Sequence, residues 1–115
     1  MTQLALFDLD STLLPCDSDY EWGQFLVRIG VVDGDAYAKK NERFYQDYKE
    51  GKLDIHEFLR FSLKPLSEHS RAQLQEWHDA FMKEVIHGHL RQEALDLVKR
   101  HQDAGDVCCV ITATN

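Results

Sequence analysis

Asp8 and Asp10 stand two residues apart in the run Asp8-Leu9-Asp10-Ser11-Thr12-Leu13, directly behind the apolar stretch Leu4-Ala5-Leu6-Phe7. In extended chain, alternate residues project on the same side. Such a pair can hold a divalent cation through oxygen ligands, and Mg²⁺ is the usual ion where phosphate is the other partner. It can also divide labour, one carboxylate attacking while the other shuttles a proton. Leu9, between them, would turn back into the core. Asp-x-Asp alone would suit a pair of solvated loop acids as well. The uninterrupted apolar stretch before it and Ser-Thr-Leu after it favour chemistry.

The charge distribution agrees. The chain of 115 residues carries 13 Lys and Arg against 20 Asp and Glu, a formal charge of −7. Residues 1–27 hold no Lys or Arg but five carboxylates, Asp8, Asp10, Asp17, Asp19 and Glu21. A general binder of nucleic acid or of anionic membranes is thereby disfavoured. No apolar run approaches the roughly 20 residues of a membrane span. Three cysteines, two of them adjacent at Cys108 and Cys109, suit packing in a reduced, cytoplasmic compartment.

The elements that must position the acids follow from periodicity. Leu4–Phe7 reads as a short buried strand, and Val107-Cys108-Cys109-Val110-Ile111-Thr112, β-branched and preceded by Ala104-Gly105-Asp106, as a second. Between them the pattern is helical. Ser18 with Glu21 has the spacing of a capping box, followed by Trp22, Phe25, Leu26 and Ile29 on one face. A second helix is predicted from about Asp35 to Glu50. A third opens at Asp54 with Glu57, carries Phe58, Leu59 and Ser62, and is expected to end at Pro65. Ser70 opens a fourth with Leu74, Trp77, Phe81, Met82 and Val85, and a fifth runs from about Leu90 to Gly105. Strand, several helices, strand makes the class α/β. Two parallel strands need only one crossover helix, so residues 15–85 are read as a helical insertion. Ligands of open α/β sheets bind beyond the carboxyl ends of the strands, which is where Asp8 and Asp10 fall.

With these residues in place, the sequence resembles the haloacid dehalogenase (HAD) superfamily of phosphohydrolases. Leu4 to Thr12 matches its first motif, a hydrophobic strand followed by Asp-x-Asp-x-Thr. Val107 to Thr112 matches its second, a hydrophobic strand ending in Ser or Thr. The wording Asp-Leu-Asp-Ser-Thr-Leu and the ending Ile-Thr-Ala-Thr-Asn look most like the phosphoserine-phosphatase-like subfamily. The resemblance implies a Rossmann-like core of parallel sheet, residues 1–14 and 86–115, with residues 15–85 as a type-1 helical cap inserted after the first strand. It implies a small phosphorylated metabolite as substrate and Mg²⁺ as cofactor. Asp8 would be the nucleophile and a metal ligand. Asp10 would be the general acid and then base, with its backbone carbonyl also at the metal. Thr112, with backbone amides near Leu9 and Ala113, would hold the phosphoryl oxygens. A phosphotransferase would use the same nucleophile. A receiver-like module that accepts phosphate as a switch is the non-catalytic alternative, and the long insertion argues against it.

Two positions depart from the subfamily. Where it has a glutamate nine residues after the nucleophile, this chain has Asp17. Where it has a cap arginine after Gly-Lys-Leu, alignment of Gly51-Lys52-Leu53 places Ser62, with Arg60 two residues earlier. Asp17 and Arg60 are the candidate substrate contacts. Loss of a bidentate clamp disfavours a substrate carboxylate. The superfamily's later lysine and final acidic pair would lie beyond Thr112, so the chain is read as an N-terminal part, expected to be nearly inactive alone and to bind Mg²⁺ weakly. Such a part would expose a sheet edge and could self-associate through it. His87-Gly88-His89 reads as a surface turn, the helical aromatics as packing, and Cys16, with no base beside it, as a small packed side chain.

Overall fold

A computed structural model of the chain describes residues 2–114. The element order is β1 (Leu4–Asp8), α1 (Ser18–Arg28), α2 (Gly34–Lys49), α3 (Ile55–Glu68), α4 (Arg71–Phe81), a π-helical turn (Met82–Ile86), α5 (His87–His89), α6 (Gln92–Asp103) and β2 (Val107–Ile111). The class is α/β. The chain divides into two compact units, Met1–Asp19 with Met82–Asn115, and Tyr20–Phe81.

In the first unit β1 and β2 pair in parallel, in register from Leu4 opposite Val107 to Asp8 opposite Ile111. The pleat sends Ala5 and Phe7 to one face and Leu4, Leu6 and Asp8 to the other. Phe7 is buried and meets the His101 ring of α6 edge-on, centroids 5.6 Å apart. Leu4, Leu6, Val107 and Ile111 are each more than half exposed. Leu14 and Ile86 are also buried in this unit. α6 is closed by Gly105, whose φ of +84° only glycine adopts freely. Its amide donates to the Gln102 carbonyl and that of Asp106 to the His101 carbonyl, and the Asp106 carboxylate lies 2.8 Å from His101 Nδ1. The turn thus launches β2 from the end of α6.

The second unit is helical and held by aromatic residues. Trp22 and Phe25 of α1 pack on Phe81 of α4, with centroids at 5.2 and 5.5 Å. Phe44 of α2 meets Phe58 and Phe61 of α3, and Tyr37 stacks on Phe61 at 4.3 Å. Leu26 is fully buried. α1 and α2 approach closely at Gly23, where a Cβ would stand 2.5 Å from the Asn41 side chain. Asn41 is buried and donates to the Tyr20 carbonyl and to Gln24 Oε1.

Two expectations are corrected. Pro65 does not end the third helix: α3 opens at Asp54, whose carboxylate accepts the His56 and Glu57 amides, and runs on to Glu68. Proline inside a helix forgoes one hydrogen bond and costs roughly 3 kcal/mol. Here Pro65 is buried on the stripe that carries Phe58 and Phe61, a gain that local propensity does not count. Cys109 is not packed but exposed, since it shares the open sheet face with Leu6, its partner in the ladder. Among the described residues no helix is long and apolar enough to cross a membrane.

Candidate active site

The parallel register brings the two motif ends together. Asp8 closes β1 opposite Ile111, the last residue of β2, so Thr112 follows at the same edge of the sheet. Asp8, Thr112 and Ala113 are exposed there. After Asp8 the chain turns sharply. The Leu9 carbonyl accepts the Leu14 amide at 2.9 Å and the Thr12 amide at 3.3 Å, and the Leu13 amide reaches the Asp8 carbonyl at 3.4 Å. Ser11 sits in the left-handed region at φ +59°, its amide donating to the Cys16 carbonyl at 3.1 Å. A non-glycine residue held there stores on the order of 1–3 kcal/mol, a cost that clusters at functional turns.

Side chains then lock the turn. Thr12 Oγ1 donates to Asp8 Oδ2 at 2.9 Å. The amide of Ser18, the first residue of α1, donates to Asp10 Oδ1 at 3.0 Å. A carboxylate at a helix N-terminus satisfies an orphan amide and meets the positive end of the helix dipole. The Ser18 hydroxyl lies 2.9 Å from that of Thr114, tying the start of α1 to the segment after β2. The Thr114 amide donates to Thr112 Oγ1 at 3.0 Å. That bond uses an acceptor site on Thr112 and leaves its hydroxyl proton to be donated elsewhere.

The sequence-derived residues therefore divide. Asp8, Leu9, Asp10, Asp17, Thr112 and Ala113 all belong to the first unit, with Leu9, Asp10 and Asp17 half-buried. Arg60 belongs to α3 of the helical unit, where it is exposed. Asp10 does not continue the strand, which stops at Asp8, so the same-side geometry of extended chain gives way to a turn. Ser18, expected to open the first helix, is its first residue, and its hydroxyl lies beside that of Thr114. Sequence reasoning passed over that Ser18–Thr114 pair, because partners 96 positions apart leave no local signal.

Among the described residues no group of three or more His, Cys, Asp and Glu gathers at one point. Mg²⁺ does not need one from protein alone. It commonly takes one or two carboxylates and completes its shell with water and phosphate oxygens. Hard oxygen donors on Asp8 and Asp10, at a strand end, are of the right kind.

Two parallel strands ending in Asp-Leu-Asp-Ser-Thr and in Thr, a strained turn and a long helical excursion define a hydrolase architecture, and the chain belongs to the haloacid dehalogenase-like hydrolase family, whose model matches residues 5–115. Among individual proteins it is similar to a histidinol-phosphatase of Neisseria meningitidis serogroup C (strain 8013), 47% identical over 115 residues, covering 100% of this chain and 52% of that protein. It is also similar to the crystal structure of a protein of unknown function from Bordetella pertussis Tohama I, with a TM-score of 0.89, 44% identity and coverage of 100% of this chain and 52% of that one. The chain thus spans about half the length of the relatives it matches.

Proposed function

We propose that the protein is a Mg²⁺-dependent phosphomonoester hydrolase acting through an aspartyl-phosphate. The observation that carries this reading is the ladder pairing of Asp8 with Ile111, which sets the Asp8 carboxylate and Thr112 at one edge of a parallel sheet. A carboxylate oxygen of Asp8 attacks phosphorus, and the ester oxygen departs with a proton from Asp10. Asp10 then removes a proton from water, which attacks the same phosphorus, releasing phosphate and restoring Asp8. Asp10 suits this exchange because one of its oxygens is held by the Ser18 amide, which keeps the carboxyl in place while the other gains and loses the proton. The Thr112 hydroxyl and the amides of Leu9 and Ala113 would donate to the phosphoryl oxygens. Mg²⁺, held by the Asp8 carboxylate and the Asp10 backbone carbonyl, would offset the repulsion between an anionic nucleophile and an anionic ester. Residues 15–85 would act as the cap, and Asp17 would contact the substrate.

The substrate class follows from the departures. Ser62 stands where the subfamily resemblance expects an arginine for a substrate carboxylate. The relative from Neisseria bears the name of a phosphatase for histidinol, an amino alcohol without a carboxylate. A phosphorylated amino alcohol is therefore the proposed substrate. The test is a panel of phosphate monoesters assayed with the intact protein, with and without Mg²⁺. Histidinol phosphate should be cleaved with kcat/KM at least about tenfold above phosphoserine, the scale of one charge-assisted hydrogen bond. Equal rates on both, or a preference for phosphoserine, would refute the substrate assignment. Metal-independent turnover would refute the role of Mg²⁺.

A further inference from the structure

The helical unit contains an open cavity of about 710 Å³ between α2 and α3, within the range of pockets that hold small organic ligands. One stripe of each helix lines it. α3 presents Glu57, Arg60, Phe61, Lys64 and Glu68, and α2 presents Tyr37, Lys40, Arg43 and Phe44. These spacings of three, four and seven residues are single helical faces. Its apolar side is aromatic. Tyr37 and Phe61 stack at 4.3 Å with planes 27° apart, Phe44 tilts against Phe61 at 5.1 Å, and Tyr37 and Phe61 both stay half-exposed. Burial holds the Tyr37 phenol protonated to about pH 12, so it remains a hydrogen-bond donor.

The polar side is positive. Lys40, Arg43, Arg60 and Lys64 face Asp33, Glu57 and Glu68, a local excess of cations in a chain whose net charge is −7. Arg43 is engaged by Asp47 at 3.9 Å and Lys64 by Glu68 at 4.0 Å. Among the described residues, Lys40 and Arg60 enter no ion pair. We infer that this cavity is a binding site for a small aromatic monoanion, its ring against Tyr37 and Phe61 and its carboxylate on Arg60. The guanidinium fork matches a carboxylate in two parallel bonds, which a neutral or cationic analogue cannot use. All of these residues lie in Val31–Glu68, so the inference does not rest on the phosphatase reading.

Three probes share one ring: indole-3-acetate, neutral indole-3-ethanol and cationic tryptamine. Each is titrated into the chain and followed by calorimetry or ligand-observed NMR. Indole-3-acetate should bind at least about tenfold tighter than indole-3-ethanol, with tryptamine weakest. Arg60→Gln should reduce indole-3-acetate to the level of the alcohol and leave the alcohol unchanged, with an unaltered circular dichroism spectrum. Lys64→Gln should give a smaller loss in the same direction. Asp8→Asn should leave all three affinities as they were, whether or not the protein turns over phosphate esters. No binding, equal binding of the three probes, or an Arg60→Gln variant with wild-type affinity would overturn the assignment.

Discussion

Thr12 Oγ1 donates to Asp8 Oδ2 at 2.9 Å, so a residue four positions on holds one oxygen of the proposed nucleophile and leaves the other outside that bond. A carboxylate that must attack phosphorus in line gains from being held in one rotamer. Thr12→Val keeps the shape and removes the donor. Because both side chains are exposed, folding stability should change by less than about 0.5 kcal/mol. kcat should fall about tenfold with KM little altered. Steady-state kinetics paired with a denaturant titration read both effects, and a loss confined to stability would exclude the positioning role.

Asp10 has two separable tasks, accepting the Ser18 amide and moving a proton. Asp10→Asn retains an oxygen for the amide but no titratable proton. It should fold normally and lose about 10²–10⁴-fold in kcat. Asp10→Ala should add a stability loss of about 1 kcal/mol, the usual cost of an emptied N-terminal cap. Thermal melts of the two variants side by side separate the tasks. Equal stabilities would show that the 3.0 Å bond to Ser18 contributes nothing.

The contrast between local and distant partners explains how much of this was legible in the sequence. Asp54 was read as a helix opener because its partners, the His56 and Glu57 amides, lie two and three residues away. The strands and the bounds of α2 were legible for the same reason: apolar period and end signals are local. The helix opens at Ser18 as its local spacing indicates, but the hydroxyl's partner, Thr114, is one the fold alone brings near. Pro65 misled because proline's local cost was weighed without its burial in the folded helical unit. Cys109 was expected to pack since it lies in an apolar run, yet nothing described covers its face of the sheet. The cavity between α2 and α3 needed both helices in place, so Arg60 could be singled out in advance but its surroundings could not.

Packing of α1 on α2 should fail at one position. A Cβ at Gly23 would stand 2.5–2.6 Å from the amide atoms of Asn41, which is buried and hydrogen-bonded to Tyr20 and Gln24 and cannot swing away without loss. Gly23→Ala should therefore destabilise by about 1–3 kcal/mol, despite the better helix propensity of alanine. Combining it with Asn41→Ala should cost less than the sum of the two single changes, since the second removes the atoms that clash. Additive losses in chemical denaturation would contradict the close approach.

Alkaline pH should weaken the helical unit. Burial raises the Tyr37 phenol to about 12 from an ordinary value of 10.0. Between those values the folded state holds a proton that the unfolded state releases. The contribution is complete below about pH 10 and declines as pH rises toward 12. The Tyr20 phenol is likewise raised to about 12, chiefly by burial and then by its hydrogen bond to Glu42. Spectrophotometric titration should show a late phenolate step. Tyr37→Phe should diminish that step and flatten the stability profile above pH 10. A Tyr37→Phe profile identical to the parent would refute the assignment.

The central claim is that Asp8 carries the phosphoryl group. The intact protein is mixed with Mg²⁺ and a phosphate monoester, quenched in acid, and the label located by peptide mass spectrometry. One phosphoryl group on the peptide containing Asp8 is predicted, with Asp8→Asn abolishing both the adduct and turnover. An adduct on another residue, or an Asp8→Asn variant that still turns over at a rate near that of the parent, would contradict it.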